Sequence, residues 1–173
     1  MKYLMLLLFC CAFSFAQSQD LDAKYGEKVS SVDSIIYNLY DVISGDKGEK
    51  RDWDLFRYLF RDDAKLIPVV SDSLGNSIPL YWTADDYVTR SGAYLENNGF
   101  VEHEIYRVQE RFGDIVHMFS TYEGFRSRAD EEPFVRGINS IQLVFDSNRW
   151  WVVNIFWQAE SEKYPLPEIY LPK

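Results

Sequence analysis

Arg136-Gly-Ile-Asn-Ser-Ile-Gln-Leu-Val-Phe145, Asp146-Ser-Asn148 and Arg149-Trp-Trp-Val-Val-Asn-Ile-Phe-Trp-Gln158 form one continuous stretch, and its reading decides the fold. β-branched and aromatic residues fill both flanks, and the turn formers fall between them. The pattern predicts two antiparallel strands joined by a tight turn. Strict alternation puts Trp150, Val152, Asn154, Phe156 and Gln158 on one face. Trp151, Val153, Ile155 and Trp157 then share the other. Neither face is polar. A sheet that is apolar on both sides needs a cover on each, so helices are expected on one side and a second subunit on the other.

Strands continue upstream of this pair. Phe100 to Phe112 reads as a long strand with broken alternation, which implies a bulge. Gly113-Asp114 is a tight turn, Ile115 to Arg126 the next strand, and Ser127 to Pro133 an acidic loop. Before residue 100 the period changes. Val29, Val32, Ile36, Leu39 and Ile43 recur at helical steps, with Ser30 or Ser31 as cap and Gly45 as stop. Asp52 caps a second, short helix carrying Trp53, Phe56, Leu59 and Phe60, and Arg61-Asp62-Asp63 ends it. Ala64 to Val70 is a strand, with Pro68 marking an edge or a bulge. Ile78 to Trp82 is a short extended piece. Thr83-Ala-Asp-Asp86 opens a third helix as a capping box, and Asn97-Asn98-Gly99 closes it.

The chain has 173 residues and is 47% hydrophobic, enough for one domain with a core of its own. Its net charge of −9 argues against nucleic acid and against an anionic membrane surface, both of which require clustered Lys and Arg. Lys2 followed by the apolar run Tyr3 to Phe15 reads as a signal peptide with cleavage after Ala16. Cys10 and Cys11 lie inside it, and Phe9 is too large for a lipidation signal, so the mature chain is expected to be periplasmic or secreted and free of cysteine. The expected organisation is a signal peptide over 1–16, a loose segment over 17–28, one domain over 29–160 and an extended, proline-limited tail over 161–173.

Two helices, a strand, a third helix and a four-stranded antiparallel meander follow one another in this order. In that order, and in Asp52-Trp-Asp-Leu-Phe-Arg-Tyr-Leu-Phe60, Phe119-Ser-Thr-Tyr122, Arg136-Gly-Ile-Asn-Ser-Ile-Gln142 and Trp150-Trp-Val-Val, the chain resembles the nuclear transport factor 2-like superfamily over roughly Val29 to Gln158. The resemblance implies an α+β cone: three N-terminal helices packed on a strongly curved, mostly antiparallel sheet around a conical pocket. Relatives include ketosteroid isomerases, dehydratases, polyketide cyclases and epoxide hydrolases, alongside pure binding modules, so the fold alone does not select a function. It also implies a homodimer through the outer sheet face, here Trp151, Val153, Ile155 and Trp157. By comparison with the family's last strand, Trp150, Val152, Asn154, Phe156 and Gln158 are expected to face the pocket.

Few residues can carry chemistry, and each has a structural alternative. His117 in a central strand suits a general acid–base, or is an outward structural histidine. Asp63, after the second helix, stands in the neighbourhood where ketosteroid isomerases carry a base, and Tyr37 or Tyr40 can supply a phenol. Asp62 and Asp63 equally suit a solvated helix end. Asn139, Asn154 and Gln158 interrupt apolar strands, so each either orients a ligand or ties up the fold. Arg136 pairs with a ligand carboxylate or with Glu123. Trp53, Tyr81, Trp82 and Phe156 line the mouth of a pocket or fill the core. With only His103 and His117 and no mature cysteine, no metal and no cofactor are expected. These readings leave three functions open: a binding protein for a small, largely apolar ligand, an acid–base isomerase, dehydratase or cyclase, and an envelope interaction module.

Overall fold

A computed structural model describes residues 20–173. The proposed signal peptide, with Cys10, Cys11 and Ala16, lies outside the described residues. Among them no helix is long and apolar enough to cross a membrane.

Local sequence signals set the helix ends. α1 (Val32–Ile43) starts where the Ser31 side chain accepts from Ser34 N. α2 (Trp53–Leu59) starts where Asp52 accepts from Leu55 N, and Tyr25 Oη donates to the same carboxylate. α3 (Ala84–Tyr87) opens on a full capping box between Thr83 and Asp86. A π-helical turn, Val88–Gly92, then carries the chain into α4 (Ala93–Asn98). At the π turn Gly92 lets the helix close on Trp53, whose ring would lie 3.2 Å from any Cβ placed there.

The strands β1 (Phe60–Ser71), β2 (Ser77–Pro79), β3 (Val101–Phe112), β4 (Ile115–Phe125), β5 (Val135–Asp146) and β6 (Arg149–Ala159) form one six-stranded sheet in the order β2-β1-β6-β5-β4-β3. Only β1 and β6 pair in parallel. The helices pack on the concave face, where Ile35, Ile36, Phe56, Leu59, Leu66, Met118, Ile141, Leu143 and Val152 form a sealed core. The second helix is shorter than the sequence suggests. It ends at Leu59, and Phe60-Arg61-Asp62-Asp63 already belongs to β1, in an irregular stretch where the pairing with β6 slips between Phe60 and Lys65.

Strict alternation fails along β6, and this corrects the expected faces. Leu143 pairs with Val152, but the next residue, Gln142, pairs with Asn154, so Val153 is an extra residue in the strand. One extra residue inverts every side chain beyond it. Trp150 and Val152 point into the core as expected. Past the bulge Ile155 and Trp157 turn inward, while Asn154, Phe156 and Gln158 turn outward. Trp151, Val153, Ile155 and Trp157 therefore do not share a face, and the continuous outer patch expected of them is not present. The outer face is partly covered by the chain itself. The tail folds back over it, with the Thr121 hydroxyl donating to Tyr170 O (2.7 Å) and the Phe119 ring 5.4 Å from that of Tyr170.

Candidate functional site

Between the helices and the concave sheet lies a cavity of about 350 Å³, within the range of small-molecule pockets. Its closed end is apolar: Leu39, Phe56, Phe60, Leu66 and Ile155 are all buried. Its open end is marked by the more exposed Val70, Tyr94, Arg126 and Phe134.

The polar groups in this apolar wall are few and specific. Glu102 enters from β3, Tyr122 from β4, Asn139 from β5, Tyr40 from α1 and Tyr87 from the last turn of α3. Asn139 Nδ2 donates to the Tyr40 hydroxyl (3.0 Å) and to Glu102 Oε1 (3.2 Å). The Tyr40 hydroxyl lies 2.6 Å from Ser120 Oγ, and Ser120 in turn donates to Glu104. Tyr40 must therefore donate to Ser120. Arg107 grips both Glu104 oxygens and reaches Asp33 at 2.9 Å. A hydrogen-bonded chain thus runs from the cone to the surface. Behind Tyr40 and Glu102, which also line it, lies a second, more polar groove of about 390 Å³ flanked by Asp33, Asp41, Glu104 and Arg107.

Electrostatics single out Glu102. Burial pushes its carboxyl up to about 7, and the Asn139 hydrogen bond offsets only part of that. No cation pairs with it among the described residues. Burial, reinforced by the Glu102 charge, holds the Tyr40, Tyr87 and Tyr122 phenols well above their usual range, so all three stay protonated. The Tyr87 and Tyr122 hydroxyls make no hydrogen bond among the described residues and open on the cavity, leaving two donors free.

The structure brings only Tyr40 and Asn139, among the candidates named from sequence, into this cone. Tyr37 is exposed on the polar groove. His117 faces outward, 3.2 Å from Glu110, and Asp63 is exposed on the β1 bulge. Trp53 is tied by its indole nitrogen to Glu96 at 3.0 Å, and Trp82 packs on Trp157. Arg136 sits on the outer face with Glu160 at 2.9 Å, and Glu123 is its weaker partner at 4.0 Å. Asn154 and Phe156, expected in the pocket, are on the opposite face because of the Val153 bulge.

Sequence reading missed Glu102. The signal lay in the Gly113-Asp114 turn. Folding β3 back on β4 about that turn brings Glu102 level with the segment that carries Tyr122 and Gly124. The bulge between Glu104 and Tyr106 then sets which way it points.

Helices packed inside a curved six-stranded sheet around such a cavity define the nuclear transport factor 2-like fold, an α+β cone. Among solved structures, LinA superposes with a TM-score of 0.55 at 10% identity, over 89% of this chain and 98% of its own. The yeast UBP3-associated protein BRE5 gives 0.53 at 14% identity, over 75% and 93%. A nuclear transport factor 2-like protein of unknown function from Pseudomonas putida gives 0.50 at 12%, over 70% and 83%. No family model and no curated protein matches the chain by sequence. Identities this low establish a shared fold and carry no activity across.

Proposed function

We propose that the protein holds a small, largely apolar molecule in the cone and exchanges a proton with it through Glu102, as an acid–base catalyst of isomerase, dehydratase or cyclase type. The observation that carries this reading is an unpaired carboxyl in an apolar cavity beside two free phenols. A base whose pKa lies near working pH combines a large ionised fraction with useful basicity. The Tyr87 and Tyr122 hydroxyls are placed to donate to an oxygen that gains charge as a C–H proton leaves. Tyr40 and Asn139, already engaged with each other, position the carboxylate. An interaction module would fill its cone with its own side chains, and this cone is open.

The test uses 5-nitro-1,2-benzisoxazole, a flat apolar probe. A base removes its C3 proton, the N–O bond breaks, and a coloured cyanophenolate forms. The wild-type protein is expected to accelerate this ring opening, with a rate rising through an apparent pKa of about 7. Glu102→Gln is expected to lower the rate at least tenfold. An equal rate in Glu102→Gln would refute the assignment of Glu102 as the base.

A further inference from the structure

Arg126 is the cation at the mouth of this cone. It follows β4 by one residue, with the parity of Tyr122 and Gly124, so it extends the pocket-facing row of that strand. Two aromatic residues hold its guanidinium. The carbon lies 3.6 Å from the Phe134 ring centroid, and Nη1 donates to the Tyr94 hydroxyl at 3.0 Å. Phe134 and Tyr94 themselves line the opening.

Half of the ten arginines of this acidic chain are neutralised by carboxylates. Arg57, Arg61, Arg107, Arg128 and Arg136 each pair with a carboxylate. Arg126 does not: no carboxylate lies within 4 Å of its guanidinium among the described residues. Its backbone N–H is the group that takes Asp130, which leaves the guanidinium's remaining donors toward solvent at the opening.

Gly124 lets Val135 and Phe100 close on the strand between the mouth and Glu102. It stands directly across from Glu102, and a Cβ there would come within 2.7 Å of Val135 and 3.4 Å of Phe100, both of which line the cavity. From the Glu102 rung to Arg126 is one two-residue step of strand, about 7 Å. A cation at the mouth and a carboxyl one backbone step further in give the pocket a direction.

We infer that the ligand of this cone is a monoanion, an apolar body that lies within the cavity and carries a carboxylate or sulfonate bound by Arg126 at the mouth. The inference rests on the cone being the ligand site, as proposed above, and adds the charge and orientation of what it takes. Arg126 and its aromatic supports select the head group, and the apolar end selects the body.

A matched pair of fluorescent probes separates the two claims. 1-Anilinonaphthalene-8-sulfonate and N-phenyl-1-naphthylamine share an aromatic framework, and only the first carries a sulfonate. With the full-length chain at low ionic strength, both are expected to bind, the sulfonate more tightly. Arg126→Gln is expected to weaken the sulfonate about five- to tenfold and leave the neutral amine unchanged. Arg128→Gln, which removes the same charge from an arginine paired with Asp46 and Glu49, is expected to change neither. Equal loss in both variants, or no sulfonate preference in the wild type, overturns the anion site while neutral-probe binding upholds the pocket. Failure of both probes overturns the pocket reading and the anion site with it.

Discussion

Asn139 is the only protein group that donates to the Glu102 side-chain carboxyl among the described residues, and the same amide nitrogen also serves Tyr40. One side chain on β5 therefore fixes a carboxyl from β3 and a phenol from α1. Asn139→Leu keeps the volume and removes both hydrogen bonds. It is expected to cost about 2 kcal/mol, the scale for buried polar groups left unpaired. Because the lost bond favoured the ionised form, Glu102 should also titrate at higher pH than in the wild type. Thermal melts and a carbon-13 NMR titration of the glutamate carboxyls check the two parts.

Glu102 sets a stability cost that depends on pH. Its pKa rises on folding from the ordinary 4.5 to about 7, so between those values the folded chain binds more protons than the unfolded chain. Stability therefore falls as pH rises across this window, by about 3 kcal/mol at most. Glu102→Gln should be more stable than wild type at pH 8 and little different at pH 4. Urea unfolding at the two pH values measures this, and equal effects at both would contradict it.

The Val153 bulge makes opposite forecasts for adjacent residues. Ile155 is buried in the core, whereas Phe156 is exposed on the outer face. Ile155→Ala should cost about 3 kcal/mol and Phe156→Ala less than about 1 kcal/mol. The reverse order in chemical denaturation would restore the unbroken alternation.

Gly137 is required by close approach. A Cβ there would stand 2.5 Å from Gln158 O and 2.6 Å from the Tyr122 hydroxyl. Gly137→Ala should push the Tyr122 ring toward the cavity, cost about 2 kcal/mol and weaken neutral-probe binding. Calorimetry and the amine titration read the two effects.

Local chemistry was legible in the sequence and pairing was not. Asp52 and the Thr83–Asp86 box are recognised within one turn of chain, and Ser31 is the one of the two serines read as caps that opens the first of these helices, while the helical turns over 20–29, in a segment read as loose, carry no such signal. The hairpins β3–β4 and β5–β6 follow from the tight turns at Gly113-Asp114 and Asp146-Ser147-Asn148, whereas the parallel pairing of β1 with β6 has no such local signal. The faces do not, because facing is set by the partner strand. Ile105 in β3 and Val153 in β6 are each one residue in excess of their partners. Beyond each bulge inward and outward exchange. Glu102 lies past the first, and Ile155 and Trp157 lie past the second. Candidates on unbulged strands fared by the same rule: Asn139 points in with its neighbours Gly137 and Ile141, and His117 points out.

Tyr40 and Glu102 form a party wall, with the cone in front and the polar groove behind. A ligand that plugs the mouth shuts the front to bulk water and leaves the rear open. Under the proposed function, this arrangement would let the carboxyl be charged or discharged from behind while the front stays occupied. A solvent-exchange rate at Glu102 that is unaffected by a bound ligand would be the signature of such a back door.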